Sequence, residues 1–177
     1  ADVERQCENA YGRLKNLLVE AGADLASVVR LDHMTSSQDW LPRRQVLRAK
    51  YFGQPAPLAS TGVAARLSGI NMITSYVIAV ADPADKEVLV QGAPFGMRNI
   101  SAAVKGGPLV FLSGLRGNRD PRTNTPVAEE TADAFGAQTR MVYDIMKAIL
   151  SECGLTPADL IQLDCFIRDP ARIDDDA

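Results

Sequence analysis

Side chains able to do chemistry are few and scattered along this chain. His33 is the single histidine, and the three cysteines, Cys7, Cys153 and Cys165, share no CxxC spacing. A nucleophilic thiol needs an imidazole beside it, whereas one histidine in a strand-like segment is more often a packed group, so His33 reads as structural. Zinc needs a compact set of nitrogen and sulfur ligands, which dispersed cysteines do not supply. Asp174, Asp175 and Asp176 are consecutive, while calcium loops place their oxygen ligands at alternate positions around a turn glycine. They read as a solvated run. Ser113-Gly114 lacks the GxSxG setting of a hydrolase elbow. The chain has no GxGxxG after a strand, no P-loop and no HExxH, so no cofactor and no metal is implied.

Two basic clusters remain. Arg116, Arg119 and Arg122 fall in one loop, where an anion or an RNA backbone could bind, but loops carry solvated charge in any case. Arg43, Arg44, Arg48 and Lys50 form the second, without interleaved aromatics for stacking on bases, and read as an exposed helix face. The whole chain carries 19 Lys and Arg against 22 Asp and Glu, a net charge of −3. That balance argues against a dedicated binder of nucleic acid or of anionic membranes. No apolar run reaches the roughly 18 residues that span a bilayer, and the charged opening is not a signal peptide. Cysteine usage fits a reducing, cytoplasmic setting. With 177 residues, 46% hydrophobic and 23% charged, the composition is that of a globular chain able to bury a core.

Periodicity predicts the elements that position these groups. Residues 2–21 place Val3, Cys7, Ala10, Leu14, Leu17, Leu18 and Ala21 at helical spacing, and Gly22 ends the helix. A strand over 26–34 and a helix over 39–52 follow, with Pro42 in the first turn, Trp40 as an anchor at the helix start and Gly53 as terminator. Strands over 58–67 and 71–80 flank a hairpin-like break at Ser68 and Gly69. Residues 100–104 and 108–113 read as a hairpin around Lys105, Gly106 and Gly107. A second long helix is predicted from Thr125 as N-cap and Pro126 to Gly154, then a strand over 160–167. The result is an α+β class with helices on one face of a mixed sheet.

The chain also repeats itself at an offset of 132 residues. Nine identities fall within positions 6–32, among them Gln6/Gln138, Tyr11/Tyr143, Leu18/Leu150, Gly22/Gly154, Leu31/Leu163 and Asp32/Asp164. Since 177 − 132 = 45, only about 45 residues are present twice. The expectation is a tandem duplication: residues 1–85 as the latter part of one unit, 86–97 as connector, and 98–177 as the beginning of a second. A piece of a longer protein and a native chain with permuted boundaries are both compatible with this pattern.

SAAVKGGPLVFLSG, a long helix and LSECGLTPADLIQLDCFIRD then resemble the first half of a Rid family (reactive intermediate deaminase, YjgF-like) domain. LLVEAGADLASVVRLDHMTSS, AKYFGQPAP, STGVAARL and SYVIAVADP resemble its second half. The resemblance implies a chorismate-mutase-like α+β unit, trimer-type packing of units into a homo-oligomer with clefts between neighbours, and a small-molecule ligand. It implies neither nucleic acid nor membrane as partner. Members act as enamine/imine deaminases, using an arginine to clamp a substrate carboxylate and a glutamate to activate water. By the same resemblance those positions are Ala59 and Thr74 here, and the family's cleft tyrosine falls at Ile100. Thr61, Thr74 and Tyr76 keep the cleft-facing parity, and Arg66 emerges on the opposite face. Ser60, Thr61, Thr74, Arg98 and Ser101 are the residues expected to line the cleft, with no catalytic residue assigned. Two readings stay open: a tandem imine deaminase whose working cleft uses other segments, or a non-catalytic ligand-binding or oligomerisation protein of the same fold.

Overall fold

A computed structural model of the chain describes residues 2–127 and 134–167. Contacts divide it into two compact units, residues 1–114 and 115–177.

Unit 1 opens with helix α1 (Asp2–Glu20), whose inward stripe is Val3, Cys7, Tyr11 and Leu18. The stripe differs from the predicted one: Tyr11 belongs to it, and Leu17 does not, being 63% exposed. Gly22 closes the helix with φ +76°, and Ala23 N–H returns to Leu18 O at 2.8 Å, the αL termination that glycine adopts without steric cost. A one-turn 3-10 segment, Leu25–Ser27, then feeds strand β1 (Val28–Thr35). Helix α2 (Leu41–Phe52) returns the chain, with Pro42 in its first turn and Gly53 ending it at φ +81°. Trp40 packs at the edge of the cluster formed by Val3, Cys7 and Ile73. Strand β2 (Ala59–Ala64) pairs parallel to β1, and β3 (Ile73–Ala79) pairs antiparallel to its other edge. The predicted hairpin between the last two strands does not form, because β1 lies between them in the order β2-β1-β3.

Residues 86–97, expected as connector, contain strand β4 (Lys86–Gln91). It pairs antiparallel with β5 (Ser101–Gly106), which forms the predicted hairpin with β6 (Leu109–Leu112). This second sheet is tied to the edge of β2. Ser101 N–H donates to Leu58 O at 3.2 Å, Gly114 N–H to Ser60 O at 3.2 Å, and Ala56 bridges Ile100. The hairpin that the sequence assigned to a second unit therefore shares its hydrogen bonds with the first.

A bulge between Val28 and Arg30 breaks the alternation of β1. Val28 and Leu31 join Tyr11, Leu18 and Leu58 in the helix-side core, while Val29 joins Ala59 and Val104 in another cluster. His33 and Thr35 are buried as well.

In unit 2, Pro126 bridges Arg119 and Val127 N–H bonds Asn118 O. Thr125 is thus part of a closed loop and not an N-cap; residues 128–133 and Asp174, Asp175 and Asp176 lie outside the described residues. Helix α3 (Ala134–Glu152) buries Ile145, Met146, Ile149 and Leu150. Its termination copies that of α1: Gly154 has φ +70°, Leu155 N–H reaches Leu150 O at 2.8 Å, and a 3-10 turn, Pro157–Asp159, follows. The strand predicted over 160–167 is not formed; among the described residues nothing pairs with it. No described helix is long and apolar enough to cross a membrane.

Complete burial of Leu31 and exposure of Leu17 separate two substitutions that sequence treats alike. Leu31→Ala should cost about 2–5 kcal/mol and Leu17→Ala within about 0.5 kcal/mol of zero, read from urea denaturation midpoints.

Candidate functional site

Register across β2-β1-β3 puts three residues in a row on the sheet face. Asp32 is opposite Thr61 on one side and Tyr76 on the other. One step along, Arg30 stands beside Ala59 and Ile78, and in the other direction Met34 stands beside Val63 and Thr74. Alternation along each strand sends all of these side chains to one face. Thr61, Thr74 and Tyr76 are therefore brought together as their parity predicted.

The charges on this face come from β1, which the sequence reading passed over. Arg30 Nε donates to Asp32 Oδ2 at 2.7 Å, and Thr61 N–H donates to Asp32 Oδ1 at 2.8 Å. Both carboxylate oxygens are thus engaged, one in fixing a guanidinium. Arg30 is partly exposed, with its Nε engaged by Asp32. The signal was present as polar residues at i and i+2 of an otherwise apolar strand. Thr74 and Tyr76 are exposed, Thr61 is half-buried, and a Cβ on Gly114 would stand 2.7 Å from Thr61 Cγ2, so glycine lets the chain pass close to it.

Ser60 and Ser101 have a different setting. Ser60 N–H donates to Ser113 Oγ at 2.8 Å, Ser113 Oγ donates to Ser101 O at 2.7 Å, and Ser101 Oγ reaches Ala56 O at 3.4 Å. All three serines are buried, and they brace β2 against β5 and the chain leaving β6. Arg98 is exposed in the turn before β5. The five expected cleft residues thus split: Thr61 and Thr74 share the sheet face, Ser60 and Ser101 lie inside, and Arg98 stands apart at the surface. Ala59 is fully buried.

A second polar group lies on the helix side of the sheet. Arg44 and Arg48, expected on an exposed helix face, are both buried; only Arg43 and Lys50 of that cluster are outward, against Glu4 and Glu8. The reason is the four-residue spacing, which stacks positions 44 and 48 on one face of α2. Arg48 donates to Ser60 Oγ at 3.4 Å and to Asn99 O at 3.3 Å. Burial, then the neighbouring Arg44 charge, brings its pKa down to about 10, so it remains charged at neutral pH. The Arg44 guanidinium fills the space over Gly62, where a Cβ would come within 2.9 Å of Nη2.

Beside them, His33 Nδ1 lies 2.6 Å from Ser75 Oγ, and Tyr11 OH lies 3.3 Å from Nε2. Desolvation first, then Arg44 and Arg48, hold the imidazole well below its usual pKa, while burial pushes the Tyr11 phenol up. A neutral histidine between two hydroxyls is a hydrogen-bond bridge from α1 to β3. The thiol of Cys7 is buried and raised by that burial, and Cys165 is exposed; none of the cysteines is bonded to another. Arg116, Arg119 and Arg122 are exposed, with Arg119 donating to Asn124 O and Arg122 to Asp120. Among the described residues no group of three or more His, Cys, Asp and Glu could hold a metal ion.

The α+β unit with its central strand and flanking helices is of the class that the sequence motifs implied. No protein-family model matches the chain. A curated relative, the RutC family protein YjgH of Escherichia coli K12, is 36% identical over 70 residues, which cover 40% of this chain and 48% of that protein. A crystal structure from Thermotoga maritima, described as a candidate endoribonuclease, is 30% identical with a TM-score of 0.43, covering 45% of this chain and 63% of that one. Over those 70 residues the chain is similar to the RutC (Rid, YjgF-like) family. It spans about half the length of the curated relative it matches.

Neutral His33 gives the pH dependence a definite sign. In the unfolded chain the imidazole takes a proton near pH 6.5, which the folded site resists. The His33 contribution to stability should therefore be constant above pH 7 and be lost as pH drops below 6.5. The urea midpoint at pH 5 should be lower than at pH 7.5, and Arg48→Met, by removing one repelling charge, should raise the His33 titration midpoint seen by NMR.

Proposed function

We propose that this chain comes from a tandem Rid-type protein that handles small reactive imines or enamines, and that its first unit binds a small carboxylate without performing the hydrolysis. The observation carrying this reading is the pair Arg30 and Asp32 on the same sheet face as Ala59 and Thr74, the positions at which the family resemblance calls for arginine and glutamate. A guanidinium fixed by a carboxylate through Nε presents its remaining edge for a bidentate contact with a ligand carboxylate. Thr61 and Tyr76 add hydroxyls in the same row. Water activation needs a base free to accept a proton, and both Asp32 oxygens are already occupied by donors. Hydrolysis then belongs to a cleft that uses segments of the second unit. The 132-residue repeat and the shared termination of α1 and α3 support two units in one polypeptide. Trimer-type assembly of such units and a cytoplasmic location are part of the same proposal.

A purely binding or scaffolding role is the second reading, favoured by the exposed Tyr76 and Ile78 on that face. Two measurements test these readings. Pyruvate, as a carboxylate probe, should shift amide resonances of β1, β2 and β3 saturably, and Arg30→Gln should weaken binding about 10-fold or more; no saturable shift rejects the ligand site. Ammonia release from an imine generated by an amino-acid oxidase should stay at the spontaneous rate with the 177-residue chain and exceed it with the whole protein. Acceleration by the chain itself would assign the chemistry to it, and none by the whole protein would leave the scaffolding reading.

A further inference from the structure

Lys86 differs from the other lysines of the chain. Lys15, Lys50, Lys105 and Lys147 are exposed, and Lys50 is paired with Glu8 at 3.1 Å, whereas Lys86 is partly buried at the start of β4. Its side chain reaches the beginning of β1, where Nζ donates to Ala26 O at 2.9 Å and to Val28 O at 2.7 Å. Both carbonyls lie ahead of β2, whose first residue, Ala59, pairs with Arg30, and the carbonyl between them, on Ser27, accepts from Val80 N–H at 3.0 Å. The lysine therefore closes the stretch of β1 that β2 does not reach. Counting donors gives the consequence. An ammonium carries three N–H groups, a neutral amine has two, and two are what the carbonyls take. Among the described residues no carboxylate forms an ion pair or hydrogen bond with Lys86. Loss of the third proton breaks neither contact. Burial favours that loss and, against the opposing field of Asp24, brings the pKa down to about 8.

We infer that Lys86 is a carbonyl-reactive amine, a site at which a small uncharged aldehyde is held as a Schiff base. The Nζ lone pair attacks the carbonyl carbon, a proton passes from nitrogen to oxygen, and the carbinolamine loses water as the C=N bond forms. Aldehyde and amine thus give imine and water, with nothing oxidised or reduced. The protonated imine retains one N–H for Ala26 O or Val28 O, and its positive charge sits among carbonyl dipoles and in the field of Asp24. The same surroundings disfavour an anion. Carbon dioxide, which would leave a carbamate, and keto acids, which bring a carboxylate, are the poorer electrophiles here, and this separates the site from the carboxylate-binding face. A lysine that served only as a brace would keep its proton and react more slowly than the exposed ones. This inference rests on the surroundings of Lys86 and neither on the repeat nor on the Arg30 site.

Reductive labelling of the 177-residue chain tests this. Propionaldehyde with sodium cyanoborohydride converts each imine to a stable secondary amine, which peptide mass spectrometry assigns to its lysine. At pH 7 Lys86 should be modified about 10-fold faster than Lys15 or Lys105. Glyoxylate, an aldehyde that carries a carboxylate, should lose most of that preference. Trace acetylation with acetic anhydride between pH 6 and pH 10 should give Lys86 a reactivity midpoint near 8, while Lys15 and Lys105 go on rising toward the ordinary lysine value. Lys86 labelled no faster than the exposed lysines, or a midpoint in their range, overturns the inference. Glyoxylate labelling Lys86 as selectively as propionaldehyde overturns the assignment to uncharged aldehydes. Neither readout depends on pyruvate binding or ammonia release, so failure here leaves those results intact.

Discussion

A central strand must satisfy its backbone on two edges and its side chains on two faces at once, and β1 is where unit 1 meets that demand. β2 and β3 saturate its edges. The helix side takes Val28, Leu31, His33 and Thr35, and Val29 is passed by a bulge into a separate cluster with Ala59 and Val104. Buried backbone groups left without partners are costly, so α2 must return the chain parallel to β1 and β3 must come back along the opposite edge. The break at Ser68 and Gly69 then becomes a crossing over β1, and the sheet face carrying Arg30, Asp32, Thr61 and Tyr76 follows from that order.

The two sides of this sheet use charge differently. On the open face Arg30 and Asp32 are held by each other and by the Thr61 amide, so the guanidinium is oriented at the surface. On the helix side Arg44 and Arg48 are buried close enough to one another for Arg44 to lower the pKa of its neighbour. Burial first and the two cations second disfavour a protonated His33, whereas Tyr11 is kept neutral by burial against the pull of the same cations, which favour its ionised form. That cluster anchors α1 and α2 to the strands; its near-complete burial suits bracing and leaves ligand contact to the other face.

Helices α1 and α2, the β5–β6 hairpin and the glycine terminations at positions 22, 53 and 154 were legible because each is encoded by local spacing and by a positive φ that glycine accepts. The parity of Thr61, Thr74 and Tyr76 was legible for the same reason, since a period of two needs no knowledge of neighbours. Order of strands was not. The brace between Ser113 Oγ and the Ser60 amide, 53 positions apart, could not be read from either segment, and Arg48 looked solvated until Asn99 and Ser60 met its guanidinium. Residues 160–167 carry the same pattern as β1, and among the described residues no strand pairs with them.

By itself the sequence determined α1, α2, the β5–β6 hairpin, the glycine terminations, the 132-residue repeat and the family resemblance, all of which depend on neighbours within a few residues or on comparing one segment with another. Tertiary structure decided that β1 lies between β2 and β3, that the 101–112 hairpin joins the first unit, and that two arginines of one helix are buried while Arg30 of a strand is partly open. The physical reason is that burial and hydrogen-bond partnership belong to pairs of segments: the same arginine is a surface charge or a core brace according to which backbone carbonyl and which hydroxyl arrive beside it.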